Sequence, residues 1–115
     1  MVSLDIVADD VNDVSIVRLN GFLNADTSPI FEETLQHIME QNKYKIIVDF
    51  KKLEYISSAG VGCFIGNIKR VRKNGGDIVF LLMPPKIQRV FQLLDFQDFF
   101  QSFNDELEAV DTFSE

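Results

Sequence analysis

The sequence predicts an α/β fold, a sandwich built on a mixed sheet of four or five strands with about four helices, in the order ββαβαβα(β)α. Three observations carry that prediction. Apolar and polar residues alternate near the start of the chain, two continuous apolar runs stand further on at Ile46-Ile47-Val48 and Ile78 to Met83, and each run is followed by a segment with helical spacing. Alternation marks a strand with one wet face, whereas an unbroken apolar run marks a strand covered on both faces, as parallel strands joined by crossover helices are.

Val2, Leu4 and Ile6 alternate with polar residues and predict the first strand. After the polar tip Asp9-Asp10-Val11-Asn12-Asp13, a second strand from Val14 to Leu19 completes a hairpin. Asn20-Gly21 and Asn24 to Ser28 then supply turn chemistry and a cap, Pro29 suits a first helical turn, and Glu32 and Glu33 lie near its positive end. Ile30, Phe31, Thr34, Leu35 and Ile38 continue at helical spacing to about Gln41.

The first buried strand is left at Asp49. The next helix runs from about Ser58 to Asn74, is ended by Gly75-Gly76, and carries Lys69, Arg70, Arg72 and Lys73 near its negative end. Beyond the second buried strand, Pro84-Pro85 opens a helix in which Ile87, Val90, Phe91 and Leu94 fall at i, i+3, i+4 and i+7. Phe99 to Phe103 reads as a last edge strand and Asp105 to Phe113 as a last amphipathic helix.

With 115 residues, 46% of them hydrophobic and 25% charged, residues 1–115 read as one globular domain. Its longest apolar stretch, Ile78 to Met83, is far short of the roughly 20 residues a membrane helix needs. The opening MVSLDIVADD lacks the basic start and apolar run of a secretory signal. No direct membrane insertion and a cytoplasmic location are therefore expected. The single cysteine, Cys63, forbids an internal disulfide, and with the single histidine, His37, no Cys/His metal cluster assembles.

A net charge of −7 argues against nucleic acid as a partner. The charge is nevertheless segregated, at −7 over residues 1–42, +7 over 43–89 and −7 over 90–115. Such a pattern arises from helices whose solvated faces differ in sign, or from a partner surface steered by charge.

Conventional catalysis finds little support. Gly60-Val61-Gly62 with Gly66 approaches a dinucleotide loop, but the third glycine should stand where Ile65 does. No cofactor is expected. Cys63, inside an apolar segment, reads as a packed thiol, and His37 as a surface residue at the edge of its helix's apolar stripe.

The unusual segment is Leu53 to Gly66, LEYISSAGVGCFIG, which enters a helix apolar on nearly every side with Gly60, Gly62 and Gly66 inside it. Each glycine costs up to about 1 kcal/mol in a helix, so either close packing on the sheet or close approach by a partner must favour it. Ser57 and Ser58 stand at the N-cap, where a serine caps and where a phosphate is also tolerated by free N–H groups and the helix dipole.

The run Ile46 to Val61, IIVDFKKLEYISSAGV, resembles the signature of single-domain STAS proteins, the bacterial anti-sigma factor antagonists. In that family an apolar strand ends in an aspartate, and a hydrophobic pair precedes an acidic residue, a phosphorylatable serine, a small residue and Gly-Leu-Gly. Arg18-Leu19-Asn20-Gly21, Lys69 to Gly76 and Ile87 to Asp95 are similar to further parts of the family, so the resemblance spans nearly the whole chain.

The resemblance implies a STAS-type sandwich and a non-catalytic protein switch, in which the unphosphorylated form sequesters an anti-sigma factor that is often a serine kinase. The kinase then modifies the switch and a metal-dependent serine phosphatase restores it. Ser58 falls on the phosphoacceptor, Ala59 on the small residue, Gly60 and Gly62 on the two glycines and Asp49 on the strand-ending aspartate. Ser57 stands where the family commonly has aspartate and is the alternative acceptor. The partner-binding set implied is Asp49, Ser57, Ser58, Ala59, Gly60, Val61, Gly62 and Phe64. The alternative function is a regulatory STAS subunit of a lipid or anion transporter, which needs the same fold without phosphorylation.

Overall fold

The computed structural model describes residues 3–114. Strands β1 (Leu4–Val11) and β2 (Val14–Leu23) form an antiparallel hairpin, and α1 (Ser28–Glu40) crosses to β3 (Lys45–Ile56). Then α2 (Ser58–Lys73), β4 (Asp77–Leu81) and α3 (Pro85–Leu93) follow, and a 3-10 turn at Gln97–Phe99 leads to β5 (Ser102–Phe103) and α4 (Glu106–Asp111). The sheet order is β1-β2-β3-β4-β5, with every pair after the hairpin parallel. The predicted element order is the observed one, including the short fifth strand.

Several boundaries differ from the sequence expectation. Val2 lies outside the described residues. The hairpin tip is the two-residue turn Asn12-Asp13, because Asn12 takes a left-handed φ of 58° and lets Asp9 to Val11 stay in the ladder. Asn20-Gly21 is not a turn. It lies within β2 opposite a bulge of β3, and Gly21 adopts φ +113°, where a side chain would strike the Ser3 carbonyl oxygen.

Past that bulge Gly21, Phe22 and Leu23 pair with Leu53, Tyr55 and Ile56, so β3 does not end at Asp49 but runs on to Ile56. The polar run Lys51-Lys52 hid this continuation, which Leu53 and Ile56 hold by burial at 2% exposure each. The last strand covers only Ser102 and Phe103, because β4 offers it just Phe80 and Leu81 as partners.

One face of the sheet is covered by α1, α2 and α3. Phe31, Leu35, Ile38 and Met39 of α1, Val61, Phe64, Ile68 and Val71 of α2, and Ile87 and Phe91 of α3 pack there against Val48, Phe50, Ile78 and Phe80. The other face is covered at one end by α4, whose Ala109 caps Val14, Ile16, Ile47, Val79 and Leu81. Arg18 fastens α4 to the sheet: its guanidinium donates to Glu106 at 2.8 Å, to Asp49 at 3.0 Å and to Asp9 at 3.1 Å. Glu106, and behind it Asp9 and Asp49, hold the Arg18 guanidinium above its ordinary pKa against the opposing effect of desolvation. No helix among the described residues is long and apolar enough to cross a membrane.

Candidate functional site

The site begins where β3 ends. Ser57 keeps extended backbone (φ −97°, ψ 173°) and is the N-cap of α2. Its N–H donates to the Leu23 carbonyl at 2.9 Å, tying the helix start to the end of β2, and its hydroxyl accepts from the Gly60 N–H at 3.2 Å. Its carbonyl accepts the first helical bond, from Val61 N–H at 3.0 Å. Of the two serines, Ser57 therefore caps. Ser58 is the first helical residue and exposed, at the positive end of a 16-residue helix with no acidic residue in its first turn. Free N–H groups and the dipole make that end tolerant of an anion.

The first turns of α2 have two unlike faces. Phe64 is fully buried, its ring 5.0 Å from Phe31, 5.3 Å from Phe80, 5.6 Å from Phe50, 5.8 Å from Phe91 and 6.2 Å from Phe100. Val61 is buried beside it. Neither side chain is free to touch a partner, which corrects the sequence expectation for both. Apolar residues at these positions are claimed by the core first, since burying a Phe side chain contributes about 2 kcal/mol or more.

Gly60 is also buried, and a Cβ there would lie 2.8 Å from the Leu23 carbonyl oxygen and 2.8 Å from Ile56 Cγ1. Close packing on the sheet explains this glycine, so it too is corrected from a contact to a packing residue. Gly62 and Gly66 differ: both are exposed, and a Cβ at either would meet nothing within 4 Å. Packing gives no reason for them. Ser58, Ala59 and Gly62 are thus the residues of the predicted set that stand open together, with Ser57 half-buried beneath them.

Asp49 lies elsewhere. It is buried (8% exposed), accepts the Arg18 guanidinium at 3.0 Å and the Lys51 N–H at 2.9 Å, and pairs in register with Arg18 and Leu81. Seven further residues of β3 separate it from Ser57, a rise of roughly 20 Å along the strand. It is a strut between sheet and α4 and is removed from the helix start. Cys63 packs under α2 with its Sγ 3.8 Å from the Ala59 carbonyl and 3.9 Å from that of Ser28, and desolvation pushes its thiol pKa up. That is the packed thiol expected from its apolar setting.

Sequence reasoning missed a polar ladder that sets α1 against α2. Buried Asn67 donates to the Cys63 carbonyl at 2.7 Å and to the Glu32 carboxylate at 2.9 and 3.0 Å. Gln36 donates to Glu32 at 2.7 Å and to Asn67 at 3.0 Å, and accepts from Arg70 at 2.8 Å. The available signal was Glu32 and Gln36 four apart on α1, on a side of the helix that the apolar pattern alone leaves to solvent.

A five-stranded mixed sheet with crossover helices on one face and an exposed serine at the head of the second defines a small α/β domain of the STAS architecture. The chain belongs to the STAS domain family, whose model matches residues 5–109. Among curated relatives, the anti-sigma-B factor antagonist of Staphylococcus aureus is 28% identical over 82 residues, 71% of this chain and 76% of that protein. Among solved structures, an anti-sigma factor antagonist from Mycobacterium paratuberculosis superposes with a TM-score of 0.88 at 18% identity, covering 98% of this chain and 96% of that one. The antagonist SpoIIAA matches in its unphosphorylated form with a TM-score of 0.82 at 23% identity over 94% of this chain and 95% of its own. Bacillus SpoIIAA in its phosphorylated form matches at 0.72 and 22% identity over 96% and 98%.

Proposed function

We propose that this protein is an anti-sigma factor antagonist: a non-catalytic switch whose unphosphorylated form binds an anti-sigma factor and whose phosphorylation at Ser58 releases it. The observation that carries this reading is the position of Ser58. It is the exposed first residue of α2, beside the open backbone at Gly62, in a chain whose curated relatives are anti-sigma factor antagonists and whose fold is that of SpoIIAA, a protein solved in both phosphorylation states. Ser57 is the weaker acceptor, because its hydroxyl already serves Gly60. An anti-sigma factor with serine kinase activity and a serine phosphatase are the partners this cycle requires.

The physics needs no refolding. A phosphoserine adds about −1.5 to −2 charges, which the helix start tolerates but a closed interface must desolvate. A penalty of about 3 kcal/mol lowers affinity more than a hundredfold.

The test is incubation with the cognate kinase and ATP followed by phosphopeptide mass spectrometry, together with partner binding by Ser58→Ala and Ser58→Asp. Phosphate on Ser58, tight binding by the alanine variant and loss of binding by the aspartate variant are expected. Modification of neither serine, with Ser58→Asp binding as wild type does, overturns the switch and favours a transporter-regulatory subunit. A phosphate on Ser57 alone keeps the switch and overturns the choice of acceptor.

A further inference from the structure

The cations of this protein differ in how they are used. Arg18, Lys43, Lys45 and Arg72 are spent internally, on Asp9, Asp49 and Glu106, on Asp10, on Asp13 and on Asp77 respectively. Helices α2 and α3, 16 and 9 residues long, hold Lys69, Arg70, Arg72, Lys73, Lys86 and Arg89 and no carboxylate at all. All of these are exposed, and all except Arg72 stand in no ion pair among the described residues. In a chain of net charge −7, these two helices carry five cations that no ion pair among the described residues neutralises.

Spacing gives that surface a shape. Gly62, Gly66, Lys69 and Lys73 recur at intervals of three or four, so they form one outward stripe along α2, bare at its upper end and cationic at its lower end. Lys86 and Arg89 lie on α3, which packs beside α2 through Phe91, its ring 5.8 Å from Phe64. A partner backbone can come close at the two glycines, and its side chains then meet ammonium groups further down.

We propose that this stripe docks an acidic helix of a partner protein. The inference rests on the protein-binding reading above and adds the chemistry of what is bound. A helix is only about 10 Å across, so it can lie along the single stripe from Gly62 to Lys73. An extended polyanion such as DNA, or an anionic membrane, meets the field of a chain of net charge −7 as a whole, which opposes it. Ser58 stands at the head of the same stripe, so a phosphate there places like charge in the path of the acidic helix.

The test uses a synthetic, alanine-based helical peptide rich in glutamate, with its lysine-rich counterpart as control, added to the isotopically labelled protein and followed by amide chemical shifts. The glutamate peptide is expected to shift Gly62, Gly66, Lys69 and Lys73 in a salt-sensitive manner, and the lysine peptide is not. Lys69→Glu with Lys73→Glu should weaken binding about tenfold, equivalent to about 1.4 kcal/mol. Lys51→Glu with Lys52→Glu, equally exposed but on β3, should leave it nearly unchanged. Equal binding of both peptides, equal loss from the β3 variant, or tighter binding to double-stranded DNA or to phosphatidylglycerol vesicles overturns the proposal. The assay involves neither kinase nor phosphate, so its failure leaves the Ser58 switch standing, and failure of the switch leaves this surface standing.

Discussion

Two faces of the same helix start are written in nearly the same letters and do opposite things. On the inner face of α2, Gly60 lies against the end of β2 while Val61 and Phe64 fill the space between sheet and helices. On the outer face, Gly62 and Gly66 are just as small but touch nothing that needs them to be so, and Ala59 is exposed beside them. The comparison teaches that a small residue in a helix has two physical explanations, and that the neighbours of an imagined Cβ separate them. Gly60 is small because the Leu23 carbonyl is in the way, whereas nothing within the chain requires Gly62 to be small.

The strongest way to break this contrast is on the inner face. Phe64→Ala removes a ring that touches five other aromatic rings and leaves a cavity at the centre of the core. A loss of about 3–5 kcal/mol is expected in chemical denaturation. Gly60→Ala adds one methyl against a backbone carbonyl that cannot swing aside, and overpacking of this kind costs about 1–3 kcal/mol. If Gly60→Ala were as stable as wild type, the packing explanation for that glycine would fall.

How much of this was legible in the sequence depends on the signal each part uses. The buried strands, the crossover helices and the basic end of α2 follow from apolar runs, periodicity and charge, which are local. The full length of β3 was not legible, because Lys51 and Lys52 interrupt the apolar run and the pairing of Leu53 to Ile56 with the end of β2 is reached only across irregular steps in the ladder. Ser58 and Gly62 were placed by motif resemblance. Which neighbours of Ser58 face outward was not legible, because Gly60-Val61-Gly62-Cys63-Phe64 is apolar throughout and only the docking of α2 on the sheet decides its sides. The structural role of Asp49 was not legible either, because it follows from Arg18 and Glu106, far from it in sequence.

A smaller effect sharpens the contrast between the two serines. Ser57→Ala removes the hydroxyl that accepts from Gly60 N–H and should cost about 1 kcal/mol. Ser58→Ala sits one residue later on the exposed side and should change stability by only a few tenths of a kcal/mol, within the range of ordinary surface substitutions. Thermal or urea midpoints of the two variants, measured side by side, decide the assignment. A larger loss at Ser58 than at Ser57 would transfer the cap to Ser58.

The last effect has the opposite sign and is the most discriminating. Gly62→Ala places a methyl where nothing lies within 4 Å, so it brings no clash and gives the helix a better former. Alanine is favoured over glycine inside a helix by up to about 1 kcal/mol, and an exposed position should realise much of that as a gain in stability. The same methyl stands on the outer stripe, between Ser58 and Gly66, where the anti-sigma factor is proposed to approach. Partner binding should therefore weaken while the urea midpoint rises. Gly60→Ala and Gly62→Ala thus form a pair of identical substitutions two residues apart, one lowering stability and the other raising it. Should Gly62→Ala raise stability and leave partner binding intact, the outer face would be open without being a contact, and the partner surface would have to be sought away from this turn of α2.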